Sequence, residues 1–222
     1  MRIDKPKITV NDCFLIGMNL VPLFGVLFRN WDPKQMFLIY CMESVILGLY
    51  AILRMMLVTF YKKHHAWDTT GGHIEDSGWF CILFFILHYG LFLVVQLIIF
   101  GAVSGFAGEG SFGMFTFILR IPNLLTDQSK LILYGFAFVY GAELIIRFIT
   151  TEKYKHYSLG LLMFQPYGRI MLQQFVVILG SMFLTFGAGK IFMVVFVGIK
   201  ILFMLIKPYT AWEEKFEGPR DI

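Results

Sequence analysis

Polar and ionisable side chains interrupt the apolar stretches of this sequence, and they are the groups that could do chemistry. They are Asn19, Glu43, Arg54, His88, Gln96, Glu143, Arg147, Gln173 and Lys200. A charged group at the centre of a bilayer costs roughly 3 kcal/mol, so such groups normally face the interior of a helical bundle. There they can carry protons, pass ions, bind metals or catalyse reactions. The alternative is a packing role, in which each interhelical hydrogen bond contributes about 0.6 kcal/mol.

Two pairs of these residues have helical spacings. Glu143 and Arg147 are four positions apart, so an α-helix predicts an ion pair between them and mutual neutralisation. Glu43 and Arg54 are eleven positions apart, which places them on one face of a helix at different depths.

Glu43 has no cation one helical turn away, so it needs a partner from another helix. The sequence offers Lys200 and His88 and does not choose between them. A mid-span carboxyl without a local partner is a candidate functional group by default. For His88, which is alone in its apolar run, the alternative is a buried and hydrogen-bonded histidine.

Histidines elsewhere raise the question of a metal site. His64, His65 and His73 share one polar loop with several carboxylates, and His88 follows in the next apolar run. Their spacing matches none of the usual zinc patterns. These four residues are therefore weak metal candidates, and the sequence identifies no cofactor.

Signatures of known enzyme classes are missing from the sequence. It contains no phosphate-binding glycine loop, no HExxH helix and no CxxC pair. Cys13, Cys41 and Cys81 lie in or beside apolar runs, where cysteine acts as a small hydrophobe. No catalytic residue is assigned on this basis.

The composition dictates which elements must position these residues. Hydrophobic residues make up 58% of the 222 positions, charged residues only 15%, and the mean hydropathy is +0.71. Soluble domains carry about 25% charged residues. A bilayer supplies the apolar solvent that a water-soluble chain of this length lacks. The sequence predicts one all-α domain, a polytopic bundle of transmembrane helices over residues 1–222.

Six stretches approach the roughly 20 apolar residues that carry a helix across a bilayer. They are residues 10–28, 36–60, 79–103, 130–150, 168–188 and 190–206. Residues 104–129 are rich in glycine and contain an apolar piece that is too short to span. We expect that segment to lie in the membrane interface or against the bundle.

Lysine and arginine near the span ends predict the orientation. Of the 19 such residues, eleven lie on the side that holds both termini and the loops after the second and fourth spans. Five lie on the other side and three lie within spans. Both termini are therefore predicted to be cytoplasmic. The basic residues form no single stripe, so no nucleic-acid partner is expected.

Three motifs are similar to those of a known family. They are Asn19-Leu20-Val21-Pro22-Leu23-Phe24-Gly25-Val26-Leu27-Phe28 with Trp31-Asp32-Pro33, then His88-Tyr89-Gly90, and then Pro166-Tyr167-Gly168-Arg169-Ile170. Over residues 14–205 the chain resembles a bacterial family of multi-span membrane proteins that is filed as a domain of unknown function. The resemblance implies a fold and a location but no activity. It also implies histidines at positions where this chain has Gln96 and either Gln173 or Gln174. A metal or proton site built on those histidines would be lost here, because glutamine is a poor metal ligand.

Three functions remain open at this level. The first is a structural, assembly or sensing role in the bacterial inner membrane, as a homo-oligomer or with a partner membrane protein. The second is a membrane-embedded, metal-dependent enzyme that uses Glu43 and His88. The third is a small proton- or ion-coupled transporter or channel lined by Glu43, Glu143, Arg147 and Lys200. The lipid bilayer is a partner in all three.

Overall fold

The architecture comes from a computed structural model, which describes residues 10–61, 78–106, 113–155, 157–168, 170, 171, 174, 183 and 186–206. Within these residues all regular secondary structure is helical, which confirms the predicted all-α class. The helices are α1 (Val10–Phe28), α2 (Pro33–Tyr61), α3 (Gly78–Ser104), α4 (Gly113–Leu124), α5 (Asp127–Glu143), α6 (Leu159–Phe164) and α7 (Gly189–Ile206). A π-helical turn, Leu144–Ile149, continues α5, and a short 3-10 turn, Lys153–Lys155, follows it.

Among the described residues, three helices are long and apolar enough to cross a membrane. They are α2, α3 and the continuous helix Asp127–Ile149. Their outer surfaces carry large apolar side chains; Leu87 is 67% exposed and Phe138 is 77% exposed. Such surfaces are unfavourable in water and ordinary in lipid. The architecture therefore indicates a membrane protein. Most of the predicted span at residues 168–188 lies outside the described residues, so the count of six spans stays a prediction.

The turn between α1 and α2 is built by local chemistry. Asp32 Oδ1 accepts a hydrogen bond from the backbone N–H of Lys34 at 3.0 Å, which caps the start of α2. Pro33 occupies the first helical position, where a backbone N–H is not needed. A Cβ on Gly25 would lie 1.9 Å from Cε3 of Trp31. Only glycine lets the indole ring rest on α1, and this contact explains why the motif has glycine there.

Helix α2 is the centre of the bundle. It packs mainly against α3 and α5, and it also contacts α6 and α7. Helix α1 packs against α7 and α5. Rings from three helices meet in the core, with Phe37 of α2 5.0 Å from Phe100 of α3 and 5.4 Å from Phe196 of α7, measured between ring centroids. The polar side chains of α2 therefore reach several helices at once.

Hydrogen bonds identify the helix termini that share one end of the bundle. Lys34 Nζ donates to the Ser104 carbonyl at 2.7 Å, and Gln35 Nε2 donates to the Leu124 carbonyl at 2.9 Å. Lys190 Nζ donates to Asn30 Oδ1 at 3.4 Å. The start of α2, the ends of α3 and α4 and the start of α7 thus lie together. We call this the Lys34 end.

At the opposite end, the ring centroids of Tyr61 and Tyr154 are 5.1 Å apart. This end also holds the exposed pair of Lys155 and Glu152, whose nitrogen and oxygen are 2.5 Å apart. The hydrogen bond from Lys155 to the Glu152 carboxylate raises the pKa of the lysine. We call this the Tyr61 end.

Helix α4 lies in the segment that the sequence assigns to the interface or to the side of the bundle. Its Phe117 is only 2% exposed. A Cβ on Gly101 of α3 would lie 2.7 Å from the Phe117 ring, so the ring packs directly on this glycine. Its Leu119 is 80% exposed. One face of α4 is therefore packed against α3 while the other faces outward.

Candidate functional site

Glu43 joins three helices inside the bundle. The residue lies on α2 and is only 4% exposed. Its Oε1 accepts a hydrogen bond from the Tyr140 hydroxyl of α5 at 2.7 Å, and its Oε2 forms an ion pair with Lys200 of α7. Of the two partners that the sequence offered, the structure selects Lys200. Both carboxylate oxygens are thus engaged by donors from different helices.

Three aromatic rings lie around the ammonium group of Lys200 beside this carboxylate. We call the Glu43 carboxylate and the rings of Tyr40, Phe136 and Phe196 the cage. Its Nζ lies 4.4 Å from the ring centroid of Tyr40, 5.6 Å from that of Phe136 and 6.0 Å from that of Phe196. These distances are within the range of cation–π attraction. The three rings are at most 1% exposed. The ammonium group is therefore stabilised by a carboxylate on one side and by ring faces on others.

Further polar groups lie around the junction. The Tyr40 hydroxyl donates to the backbone carbonyl of Asn19 at 2.6 Å, and Asn19 Nδ2 donates to the Leu15 carbonyl at 2.7 Å. Gln96 Nε2 donates to Cys41 Sγ at 3.4 Å. Asn19 Oδ1 and Gln96 Oε1 are buried acceptors with no protein partner among the described residues.

A second ion pair lies further along α2 and gives Glu143 a partner, Arg54, that the spacing did not predict. Glu143 Oε1 lies 3.4 Å from Nη2 of Arg54, and Arg54 Nη1 donates to Gln165 Oε1 at 3.4 Å. Arg147 lies in the π-helical turn and is exposed, while Glu143 faces α2. The spacing of a π-helical turn differs from that of an α-helix, and the pairing of Glu143 with Arg147 stays a prediction.

His88 lies on the outer surface of α3, away from the ion pair of Glu43. Its Nδ1 is 2.7 Å from the hydroxyl of Tyr167, and its ring stacks on Phe84 with centroids 5.3 Å apart. The bond to Tyr167 joins two of the three motifs that carry the family resemblance. His88 is exposed rather than buried, contrary to the packing alternative considered for it.

The remaining predicted site residues are separate from this junction or are not described. His64, His65, His73 and Gln173 lie outside the described residues. Gln174 Nε2 donates to the Phe92 carbonyl of α3 at 2.6 Å. In the part of the chain that the structure describes, no three His, Cys, Asp or Glu side chains are grouped as metal ligands.

Tyrosines are the side chains of the candidate site that the sequence reasoning missed. Tyr140 bonds the Glu43 carboxylate, Tyr40 lies under the Lys200 ammonium, and Tyr167 bonds His88. In the same region, the Tyr50 hydroxyl donates to the Ala137 carbonyl of α5 at 2.8 Å. Their sequence signal was a hydroxyl placed in the middle of an apolar run, because a buried tyrosine needs a hydrogen-bond partner.

Comparisons with known proteins agree with the resemblance in the motifs. No curated protein and no solved structure matches the chain. Residues 1–214 match the profile described as a family of unknown function, DUF6498. That match covers nearly the whole sequence, and the chain therefore belongs to the DUF6498 family.

Proposed function

We propose that this protein is an integral protein of the bacterial inner membrane, with both termini in the cytoplasm and a structural or sensing role. In this proposal the ion pair of Glu43 and Lys200 is a latch that holds α7 against α2 and α5. The observation that carries the proposal is the convergence of three helices on one buried carboxylate. We use the name latch for this ion pair together with Tyr140, which bonds the same carboxylate.

The energetics of buried ion pairs favour a switchable contact. The two side chains of the pair are 6% and 15% exposed. Burying both charges costs about as much as their attraction returns, whereas removing one partner costs about 3–5 kcal/mol. The intact pair therefore adds little to the free energy of unfolding. Removal of one charge alone lowers that free energy strongly, because the other charge stays buried without a partner. A contact with this property suits a sensing or assembly role, because neutralising one group changes how firmly α7 is held.

The proposed orientation has support from the positions of the cations. Lys34 and Lys190 lie at the Lys34 end, and Lys153 and Lys155 lie beyond α5 toward the Tyr61 end. The sequence analysis places Lys153 and Lys155 on the side that holds both termini, and it places Lys34 and Lys190 on the other side. The cytoplasmic assignment of the Tyr61 end rests on the excess of Lys and Arg on that side.

A double-mutant cycle tests the latch. Glu43→Gln and Lys200→Met each leave one buried group without its partner, so each should destabilise the purified protein by about 3 kcal/mol. The combined variant should recover most of that loss, since neither charge remains. Thermal unfolding in detergent gives the three free-energy differences. Additive effects of the two substitutions would refute the latch.

The position of α7 gives a second readout of the same cycle. In a chain whose native cysteines are replaced by alanine, Phe37→Cys on α2 and Phe192→Cys on α7 form a reporter pair. The two native rings have centroids 5.3 Å apart. We expect a short bifunctional thiol reagent to cross-link this pair efficiently when the latch is intact, less efficiently with Glu43→Gln alone, and efficiently again in the double variant.

Proton- or ion-coupled transport is a second candidate, favoured by the polar face between α2 and α5. Glu43, Tyr50 and Arg54 follow one face of α2, and Tyr140 and Glu143 face them from α5. Buried acids and cations along one path are typical of proton relays. Proteoliposomes that hold a pH-sensitive dye test the idea. Equal proton flux in empty vesicles, wild-type vesicles and Glu43→Gln vesicles would exclude it.

The metal-dependent enzyme receives no support from the geometry. Glu43 is engaged by Tyr140 and Lys200, whereas His88 is exposed and bonded to Tyr167. Self-association or a partner membrane protein remains part of the proposal, supported by the broad apolar outer faces of α3 and α5.

A further inference from the structure

We propose that the cage around Glu43 is a recognition site for small primary ammonium ions, which the chain's own Lys200 occupies in this structure. A ligand of this class would open the latch by displacing Lys200. The inference rests on the proposed latch and names what it would respond to.

The composition of the cage is that of an ammonium site. One carboxylate supplies the counter-charge, and three ring faces lie 4.4, 5.6 and 6.0 Å from the nitrogen. Ring faces attract cations through their quadrupoles, and the attraction grows when the site excludes water. Glu43 and its Tyr140 partner are 4% and 2% exposed, so the site is desolvated.

The geometry favours a primary ammonium over other cations. The Lys200 nitrogen donates directly to Glu43 Oε2 while it also faces the rings. A quaternary ammonium has no N–H to donate to the carboxylate. A guanidinium is planar and binds carboxylates through a two-pronged fork, but Glu43 Oε1 already accepts from Tyr140. A compact ammonium with one short apolar tail reproduces the group that occupies the cage.

Lys200 lies on a different helix from Glu43, Tyr40 and Phe136, the cage residues closest to its ammonium group. Glu43 and Tyr40 are on α2, Phe136 and Tyr140 are on α5, and Lys200 is on α7. Lys200 competes with a free ligand as an intramolecular group, so a free ammonium ion must reach a high concentration to displace it. Such an ion shifts the equilibrium only because it binds the state in which Lys200 has left.

The experiment separates recognition from displacement. Lys200→Ala removes the three outer methylenes and the ammonium, which together correspond to propylammonium. We expect Lys200→Ala to lower the unfolding temperature of the full-length protein in detergent. Propylammonium chloride should raise it again, increasingly with its concentration. Sodium chloride, tetramethylammonium chloride and guanidinium chloride at equal ionic strength should not. The response should be lost in Glu43→Gln/Lys200→Ala.

Displacement is measured in the chain that retains Lys200. Propylammonium should reduce the cross-linking of the pair at positions 37 and 192 at least twofold, while tetramethylammonium leaves it unchanged. If Lys200→Ala does not lower the unfolding temperature, the latch itself is wrong. If it does, but propylammonium restores nothing or acts no better than sodium, the ammonium site alone is overturned. Restoration in Lys200→Ala without any effect on cross-linking would also overturn it, because Lys200 would then be a fixed structural contact.

Discussion

Glu43 and Lys200 form an ion pair although 157 positions separate them in the sequence. Lys200 lies on α7, and the carboxylate that receives it lies on α2, the central helix of the bundle. Each side chain explains how the other is tolerated in an apolar interior, since a buried charge must be paired.

The Tyr140 hydroxyl should contribute to the latch. Tyr140→Phe keeps the ring but removes the donor to Glu43 Oε1, and it should destabilise the protein by about 1–3 kcal/mol. Thermal unfolding in detergent measures this loss. Tyr134→Phe on the same helix is the matched control, because Tyr134 is 70% exposed and should tolerate the change. Equal effects of the two substitutions would contradict the role of Tyr140.

Glu143 should couple more strongly to Arg54 than to Arg147. Double-mutant cycles with Glu143→Gln measure each coupling energy by unfolding in detergent. We expect about 1 kcal/mol with Arg54→Met, because this pair is partly shielded, and less than about 0.5 kcal/mol with Arg147→Met. A larger coupling with Arg147 would restore the α-helical pairing that the spacing predicts.

Gly25 should be intolerant of any side chain. The Cβ of Gly25→Ala would lie 1.9 Å from the Trp31 ring, so either the ring or α1 must move. We expect a loss of about 1–3 kcal/mol and a shift in the Trp31 fluorescence emission. Gly17→Ala lies on the same helix with nothing within 4 Å of the new Cβ, and it should be neutral or stabilising. A neutral Gly25→Ala would show that the indole does not rest there.

The orientation makes a prediction that does not depend on the latch. Reporter fusions at residues 70 and 222 should both give cytoplasmic signals, because Lys and Arg are concentrated on the side that holds these positions. A fusion at residue 107, on the opposite side, should give a periplasmic signal. A periplasmic reading at residue 70 or at residue 222 would overturn the proposed topology.

The sequence alone was sufficient for the class of fold. The runs at residues 36–60 and 79–103 lie within α2 and α3, because hydrophobic length along one helix is a local property of the sequence. The cap at the start of α2 is equally local, since Asp32 accepts a hydrogen bond from the backbone N–H of Lys34 two positions on. The match to the DUF6498 family confirms the resemblance that the motifs indicated.

The sequence also identified Glu43 as a residue in need of a partner, but it could not choose that partner. Lys200 and His88 were equivalent candidates, since their facing directions depend on how α7 and α3 rotate against α2. Only the tertiary structure decided this, by placing Lys200 in the cage and His88 on the outer surface. The contact between Glu143 and Arg54 was decided in the same way, because packing of α2 against α5 brings Arg54 close to Glu143. Pairings between helices depend on packing angles and rotations that no single helix encodes.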